Sequence, residues 1–352
     1  MSGTVTDIGG LDAARLSRRR RGLFLGAGAA GAVLLLLLVW GVIWYELQVH
    51  EGPPGRQVVV DVPAGSGTSG VAKALSDSGV IHSGLALRVY DLLHGTPLVR
   101  AGQYALRRDE SLAVVHAALV AGPNVLEVPP GFTVSETAAR LALIPGHDGQ
   151  ALSAAVASRA VTSPYEPAGV ANLDGLLGTG RYVVGRRESA AALLARMVAR
   201  FDAQAVAAGL DTRAAALGIS PYQAVVVASI VQKEGVYPQN LAKVARVVYN
   251  RLGRGMALQM DSTVLYAENR DGGPVTAADL ALSSPYNTYL HTGLPPTPVC
   301  FPSGASLEAA LAPTPGTWLY FVLVSADGTE AFSDTLAEQL ANEQLAKSRG
   351  LP

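Results

Sequence analysis

The segment Ala228-Ser229-Ile230-Val231-Gln232-Lys233-Glu234-Gly235 closes an apolar run, Val225 to Val231, on a carboxylate. Ser220 followed by Pro221 is a cap and first-turn signal for a helix, and Gly235 with Pro238 is a stop. Glu234 is thereby placed in a last helical turn, where the negative end of the macrodipole disfavours its ionised form. If partly buried as well, such a carboxyl stays protonated near neutral pH and can pass a proton to a leaving oxygen. The same residues also read as a solvated helix end beside Lys233, the commoner case for a lone motif.

Farther along, amides, hydroxyls and aromatics gather: Gln259, Asp261, Ser262, Thr263 and Tyr266, then Tyr286, Asn287, Thr288 and Tyr289, then Thr292 to Pro296. Hydrogen-bonding groups mixed with aromatic faces bind sugars, although any ordered turn has a similar composition. Asp261 offers a second carboxylate. Two acids flanking a bond suit hydrolysis, retaining or inverting according to their separation, which sequence spacing leaves open. The lone Cys300 excludes an intramolecular disulfide and a Cys-based zinc site, and the six histidines fall at no ligand spacing, so no metal is expected. A net charge of −1 provides no field that would attract nucleic acid.

The elements that must position these residues belong to a chain of 352 residues, 49% hydrophobic and only 16% charged, which suits more than one folded domain. Residues 23–45 carry no charge and are long enough to cross the roughly 30 Å hydrocarbon core as a helix. Arg18 to Arg21 precede this span while Glu46 and Glu51 follow, which puts residues 1–22 in the cytoplasm and everything after about residue 46 outside. Trp40, Trp44 and Tyr45 end it as interfacial anchors where a cleaved signal peptide would have small residues. Gly26, Gly28 and Gly31 inside the span spell GxGxxG without the strand and amphipathic helix a dinucleotide site needs, so helix packing explains them better.

Beyond a stalk at residues 46–57, Val62, Pro63, Gly65, Ser69, Ala72 and Leu75 recur 66 residues later as Val128, Pro129, Gly131, Ser135, Ala138 and Leu141. A second set, Gly102, Tyr104, Glu110 and Ser111, recurs 78 residues later as Gly180, Tyr182, Glu188 and Ser189. The order is A, B, A, B, each A unit being a strand, a Pro/Gly turn and a serine-capped helix. Such units bury a face only by packing together. They read as a glycan-binding surface or as a spacer. A helix over Leu241–Leu252, a hairpin around Asp327-Gly328 and a final helix near Leu336–Lys347 complete an α+β chain. The expected division is a repeat region over 58–200 and a catalytic domain over 201–352.

Taken in order, these residues resemble the endolytic murein transglycosylases, the MltG or YceG-like family. The similarity runs through Ala228 to Glu234, Asn250-Arg251-Leu252, Gly255-Met256, Leu258-Gln259, Asp261, Thr263-Val264, Tyr286 to Tyr289, Thr292 to Pro296 and Tyr320-Phe321-Val322. Val62-Pro63 with Gly65, and Val128-Pro129 with Gly131, resemble that family's LysM-like region. The resemblance implies that Glu234 is catalytic and that no cofactor is needed, and the cluster of amides, hydroxyls and aromatics, Gln259, Asp261, Thr263, Tyr286, Asn287, Thr288 and Tyr289, is read as binding the substrate. It further implies peptidoglycan glycan strands as substrate, with cell-wall synthases and division proteins as partners; the uncharged span adds a single-pass cell-membrane location. Gln232 replaces an acid common in the family, the stretch Asp174 to Tyr182 lacks its Pro-Asp pair, and Ser262 stands where proline is common. A muramidase-type hydrolase, or a catalytically silent glycan-binding or division-scaffold protein, is the competing reading.

Overall fold

The computed structural model describes residues 35–46, 55–235 and 237–351, and the chain divides into two compact units, Met1–Pro123 and Asn124–Pro352. Of the expected span, residues 23–34 lie outside the described residues, as do Arg18 to Arg21. The remainder forms α1 (Leu35–Glu46), an apolar helix whose Trp44 packs on the core of the first unit. Among the described residues no single helix is long and apolar enough to cross a membrane.

The first unit continues as β1 (Gln57–Val62), α2 (Thr68–Asp77), α3 (Gly84–His94), β2 (Gly102–Arg107) and α4 (Leu112–Ala121). β1 and β2 pair antiparallel, with Val62 opposite Gly102 and Val60 opposite Tyr104. Alternation along β1 turns Val60 and Val62 inward onto Val71, Leu75, Leu87, Val115 and Leu119.

The second unit opens with the same strand–helix–helix–strand order: β3 (Val125–Val128), α5 (Val134–Leu141), α6 (Gly149–Ala157) and β4 (Gly180–Val183). Its register matches the first, with Val128 opposite Gly180 and Leu126 opposite Tyr182. Details recur too. The Tyr104 hydroxyl donates to the carbonyl of Arg100 and that of Tyr182 to the carbonyl of Gly178, each four residues back. Gly102 and Gly180 both take positive φ, and Ser111 and Ser189 both cap the following helix. The interleaved sequence pattern thus arises because each A strand pairs with the B strand that follows it.

The chain then runs through α7 (Ala190–Ala207), α8 (Leu210–Ala216), α9 (Pro221–Glu234), α10 (Leu241–Gly253), α11 (Asp261–Ala267), α12 (Ala277–Leu280), α13 (Gly304–Leu311), the antiparallel hairpin β5 (Tyr320–Leu323) and β6 (Glu330–Ser333), and α14 (Leu336–Ser348). The expected boundary near residue 200 differs from the structure, because α7 passes straight through it. Leu126, Val128, Leu141 and Tyr182 of the second copy share one core with Val225, Val226, Val227 and Ala228 of α9, so the compact units part at Pro123 instead.

α9 is the axis of this core. Ser220 and Gln223 form a capping box with Pro221 at the first turn, and every residue from Ala224 to Val231 is buried. α10 and α13 pack along it. Burial on all sides explains why α9 lacks a polar stripe until Gln232, where it reaches the surface.

Candidate active site

Glu234 ends α9 half-buried, at the point where two cavities meet. One, of about 400 Å³, is lined by Thr133, Glu136, Lys233, Ser262, Tyr266 and Arg270 among others. The second, of about 510 Å³, is lined by Arg251, Gln259, Tyr289, Tyr320, Phe321 and Lys347 among others. Glu234 and Asp261 line both, so an extended ligand lying in the two cavities would pass over these carboxyls.

Glu234 Oε1 accepts the hydroxyl of Ser262 at 2.6 Å and the Ser262 amide at 3.2 Å. It therefore lies at the C-terminal end of α9 and the N-terminal end of α11 together. Burial pushes its pKa above the ordinary glutamate value; the Ser262 bonds oppose this, and the charge of Asp261 adds to it. The direction matches the expectation from the helix end, and burial is the first cause of the shift.

The other expected site residues separate into two groups of three, with Tyr286 apart from both. Gln259 is exposed in the second cavity with φ of 53°, a left-handed conformation rare for a residue with a side chain. Its amide donates to the Thr288 carbonyl at 3.0 Å, which holds that turn. Asp261 is exposed, and its Oδ1 accepts the Tyr289 hydroxyl at 2.5 Å. These three residues face the cleft.

Thr263, Asn287 and Thr288 do not. All three are buried, and none lines either cavity around Glu234. Thr263 and Thr288 share a 2.9 Å hydroxyl contact, Thr288 Oγ1 accepts the Met260 amide, and Asn287 Nδ2 donates to the carbonyls of Leu280 and Leu282. Their polar atoms bond within the protein and, unlike those of Gln259, Asp261 and Tyr289, are not presented to the cleft. Tyr286 is half-buried and gives its hydroxyl to a 2.8 Å contact with Thr297, beside Tyr266.

Three residues that the sequence analysis named without a role at the site are tied to it by hydrogen bonds. Arg251 is buried beneath the second cavity, donating from Nε to the Leu319 carbonyl and from Nη1 to that of Leu258, each at 2.6 Å, with Tyr320 5.0 Å away. Its carbonyl partners lie 7 and 68 residues along the chain, beyond local pattern. Asp174, from the stretch that departs from the family, is buried and accepts the Val134 amide at 2.7 Å and the Tyr266 hydroxyl at 2.6 Å. Gln232 Oε1 accepts the Ser303 amide and the Ser306 hydroxyl, both at 2.8 Å, so this amide caps α13. Among the described residues no three His, Cys, Asp or Glu side chains are grouped to hold a metal ion.

An α+β scaffold with one carboxyl, partly shielded from water, at the meeting point of two open cavities defines a protein built to present an acid to an extended ligand. The chain belongs to the YceG-like family, whose profile matches residues 60–345. It is 27% identical over 334 residues to the endolytic murein transglycosylase of Bacillus subtilis (strain 168), covering 89% of this chain and 92% of that one. It is 27% identical over 335 residues to the protein of the same name from Streptococcus pneumoniae serotype 2 (strain D39 / NCTC 7466), covering 84% of this chain and 60% of the relative. Among solved structures, the 2.6 Å crystal structure of the yceG-like protein lmo1499 from Listeria monocytogenes superposes with a TM-score of 0.61 at 27% identity, covering 81% of this chain and 98% of that one.

Proposed function

We propose that this protein is an endolytic lytic transglycosylase that cuts peptidoglycan glycan strands between N-acetylmuramic acid and N-acetylglucosamine, leaving 1,6-anhydro-muramyl ends. The observation that carries the reading is the position of Glu234 where two cavities meet, since an internal bond of a polymer needs room on both sides of the acid. The names of the relatives support the same chemistry.

In the first step the Glu234 carboxyl gives its proton to the glycosidic oxygen, the C1–O bond breaks, and its electron pair leaves with that oxygen. Positive charge develops at C1 and the ring oxygen beside a carboxylate now ionised. The same carboxylate then takes the proton of the muramyl C6 hydroxyl as O6 bonds to C1. One group serves as acid and then base, which a carboxyl of raised pKa suits. Gln259, Asp261 and Tyr289 are assigned to contacts with the sugars. Thr263, Asn287 and Thr288 are assigned to the wall that holds these residues, and Tyr286 to its edge.

The two strand–helix–helix–strand copies are read as LysM-like glycan-binding modules, and residues 23–45 as a single membrane anchor with the N-terminus in the cytoplasm and the catalytic region outside. Cell-wall synthases and division proteins are the expected partners at that location. Digestion of purified sacculi followed by mass analysis tests the reaction. Products lighter by one water than hydrolytic ones, with cuts inside the strands, are expected. Hydrolytic products, or none, would overturn the assignment.

A further inference from the structure

Two donors of a single residue converge on one atom. The hydroxyl and the amide of Ser262 both reach Glu234 Oε1, and among the described residues no donor reaches Oε2. Glu234 lines both cavities. A proton placed on Oε1 would displace one of the two donors, whereas a proton on Oε2 leaves both in place.

We propose that Ser262 is a positioning residue for the reaction, holding Oε1 of Glu234 so that Oε2 is the oxygen that gives the proton to the glycosidic bond and later removes one from the C6 hydroxyl. This rests on the reading of Glu234 given above. Hydrogen bonds to an ionised acceptor are shorter and stronger than those to a neutral one, so the Ser262 contacts tighten as the carboxyl loses its proton. They favour the first transition state over the ground state, the condition for acceleration. The proton returned from O6 lands on the same Oε2, and the enzyme regains its starting form.

The charges around Glu234 give Ser262 something to oppose. Asp261 of α11 acts on it with like charge, Glu330 of β6 is itself pushed up by the Glu234 charge, and Glu136 lines the same cavity. The ammonium of the adjacent Lys233 is engaged by Asp271 at 2.7 Å, while Arg251 is turned to backbone carbonyls and Tyr289 to Asp261. Burial and the Asp261 charge favour the protonated form of Glu234, and the paired donors of Ser262 are what make proton release accessible. A serine that merely began α11 would affect helix stability and leave the pH profile of the reaction alone.

The test uses the full chain in detergent micelles with purified glycan strands, following release of anhydro ends against pH for wild type, Ser262→Ala and Ser262→Thr. Ser262→Ala is expected to lose about tenfold or more in kcat with KM within about twofold, and its alkaline limb should move up by about one pH unit. Ser262→Thr, which keeps the hydroxyl, should regain most of the rate and the wild-type limb. An alanine variant with the wild-type limb and rate, or a threonine variant that fails as alanine does, would overturn the proposal. A wild-type protein that releases no anhydro ends would overturn the catalytic reading of Glu234 and this inference with it.

Discussion

The Tyr289 hydroxyl donates to Asp261 Oδ1 at 2.5 Å, so the two adjacent carboxyls of the cleft are held by different partners, Asp261 by a phenol and Glu234 by Ser262. Burial, the Asp261 hydrogen bond and that carboxylate's charge raise the phenol's own pKa, and it therefore remains a donor. Asp261 is exposed, and its pairing with Tyr289 suits it to orient sugar hydroxyls. Asp261→Asn should therefore lose no more than about tenfold in turnover, because ring closure by O6 needs no carboxylate nucleophile opposite the acid. A loss of ~10³ or more, with hydrolytic products from the wild type, would point to a two-carboxylate hydrolase. Turnover and product mass measured together decide this.

Glu330 makes the protein's stability depend on pH. Burial pushes its pKa up to about 7, and its Oε2 is buried with no hydrogen-bond partner. A carboxyl whose pKa is raised by folding contributes stability below its unfolded value and loses that contribution as pH rises through the folded value. Glu330→Gln should thus leave stability nearly unchanged at pH 5 and raise it on the order of 1–3 kcal/mol at pH 8. Urea midpoints at the two pH values measure this; a variant less stable than wild type at pH 8 would contradict it.

The buried wall should report through folding more than through binding. Asn287 is fully buried, and its amide ties the Leu280 and Leu282 carbonyls to its own turn. Asn287→Ala should cost about 1–3 kcal/mol of stability, since two buried acceptors lose their donor. With folded protein at low temperature, KM for glycan strands should stay within about threefold of wild type. A large rise in KM without loss of stability would return Asn287 to direct substrate contact.

Much of the second unit's α+β framework was legible because local chemistry fixes it. The Ser220-Pro221 start, the buried Val225 to Val231 run and the hairpin at Asp327-Gly328 each answer to a cap, a period or a turn. The strand pairing of the two copies was legible as well, since the same residues recur where the same pairing recurs, but the helix starts were not: Gly67 and Thr133, and not Ser69 and Ser135, stand at the N-caps. The compact division was not, because it depends on which core α7 joins, a long-range matter. The place of Glu234 at the end of α9 was legible from the cap and stop signals around it. Ser262 could not be interpreted, because its partner lies 28 residues away on another helix. Thr263, Asn287 and Thr288 were read as ligand-binding by composition, and composition does not say which way a hydroxyl or amide points.

The orientation across the membrane is open to a direct test. Under the proposed anchor at residues 23–45, Arg18 to Arg21 precede the span and the positive-inside rule would put them in the cytoplasm. A reporter enzyme active only outside the cytoplasm, fused after Pro352, should be active in cells. Activity from a reporter that works only in the cytoplasm, fused at the same position, would reject this topology.

Under the proposed chemistry Glu234 moves the protons of glycan cleavage. Glu234→Gln keeps the size of the side chain and an oxygen able to accept from Ser262, but removes the transferable proton and the later base. The most direct measurement is the rate of anhydro-end release from purified glycan strands by wild type and Glu234→Gln, with strand binding recorded in parallel. Release should fall by at least ~10²–10⁴ while binding largely survives. Release at the wild-type rate by the variant would contradict the assignment.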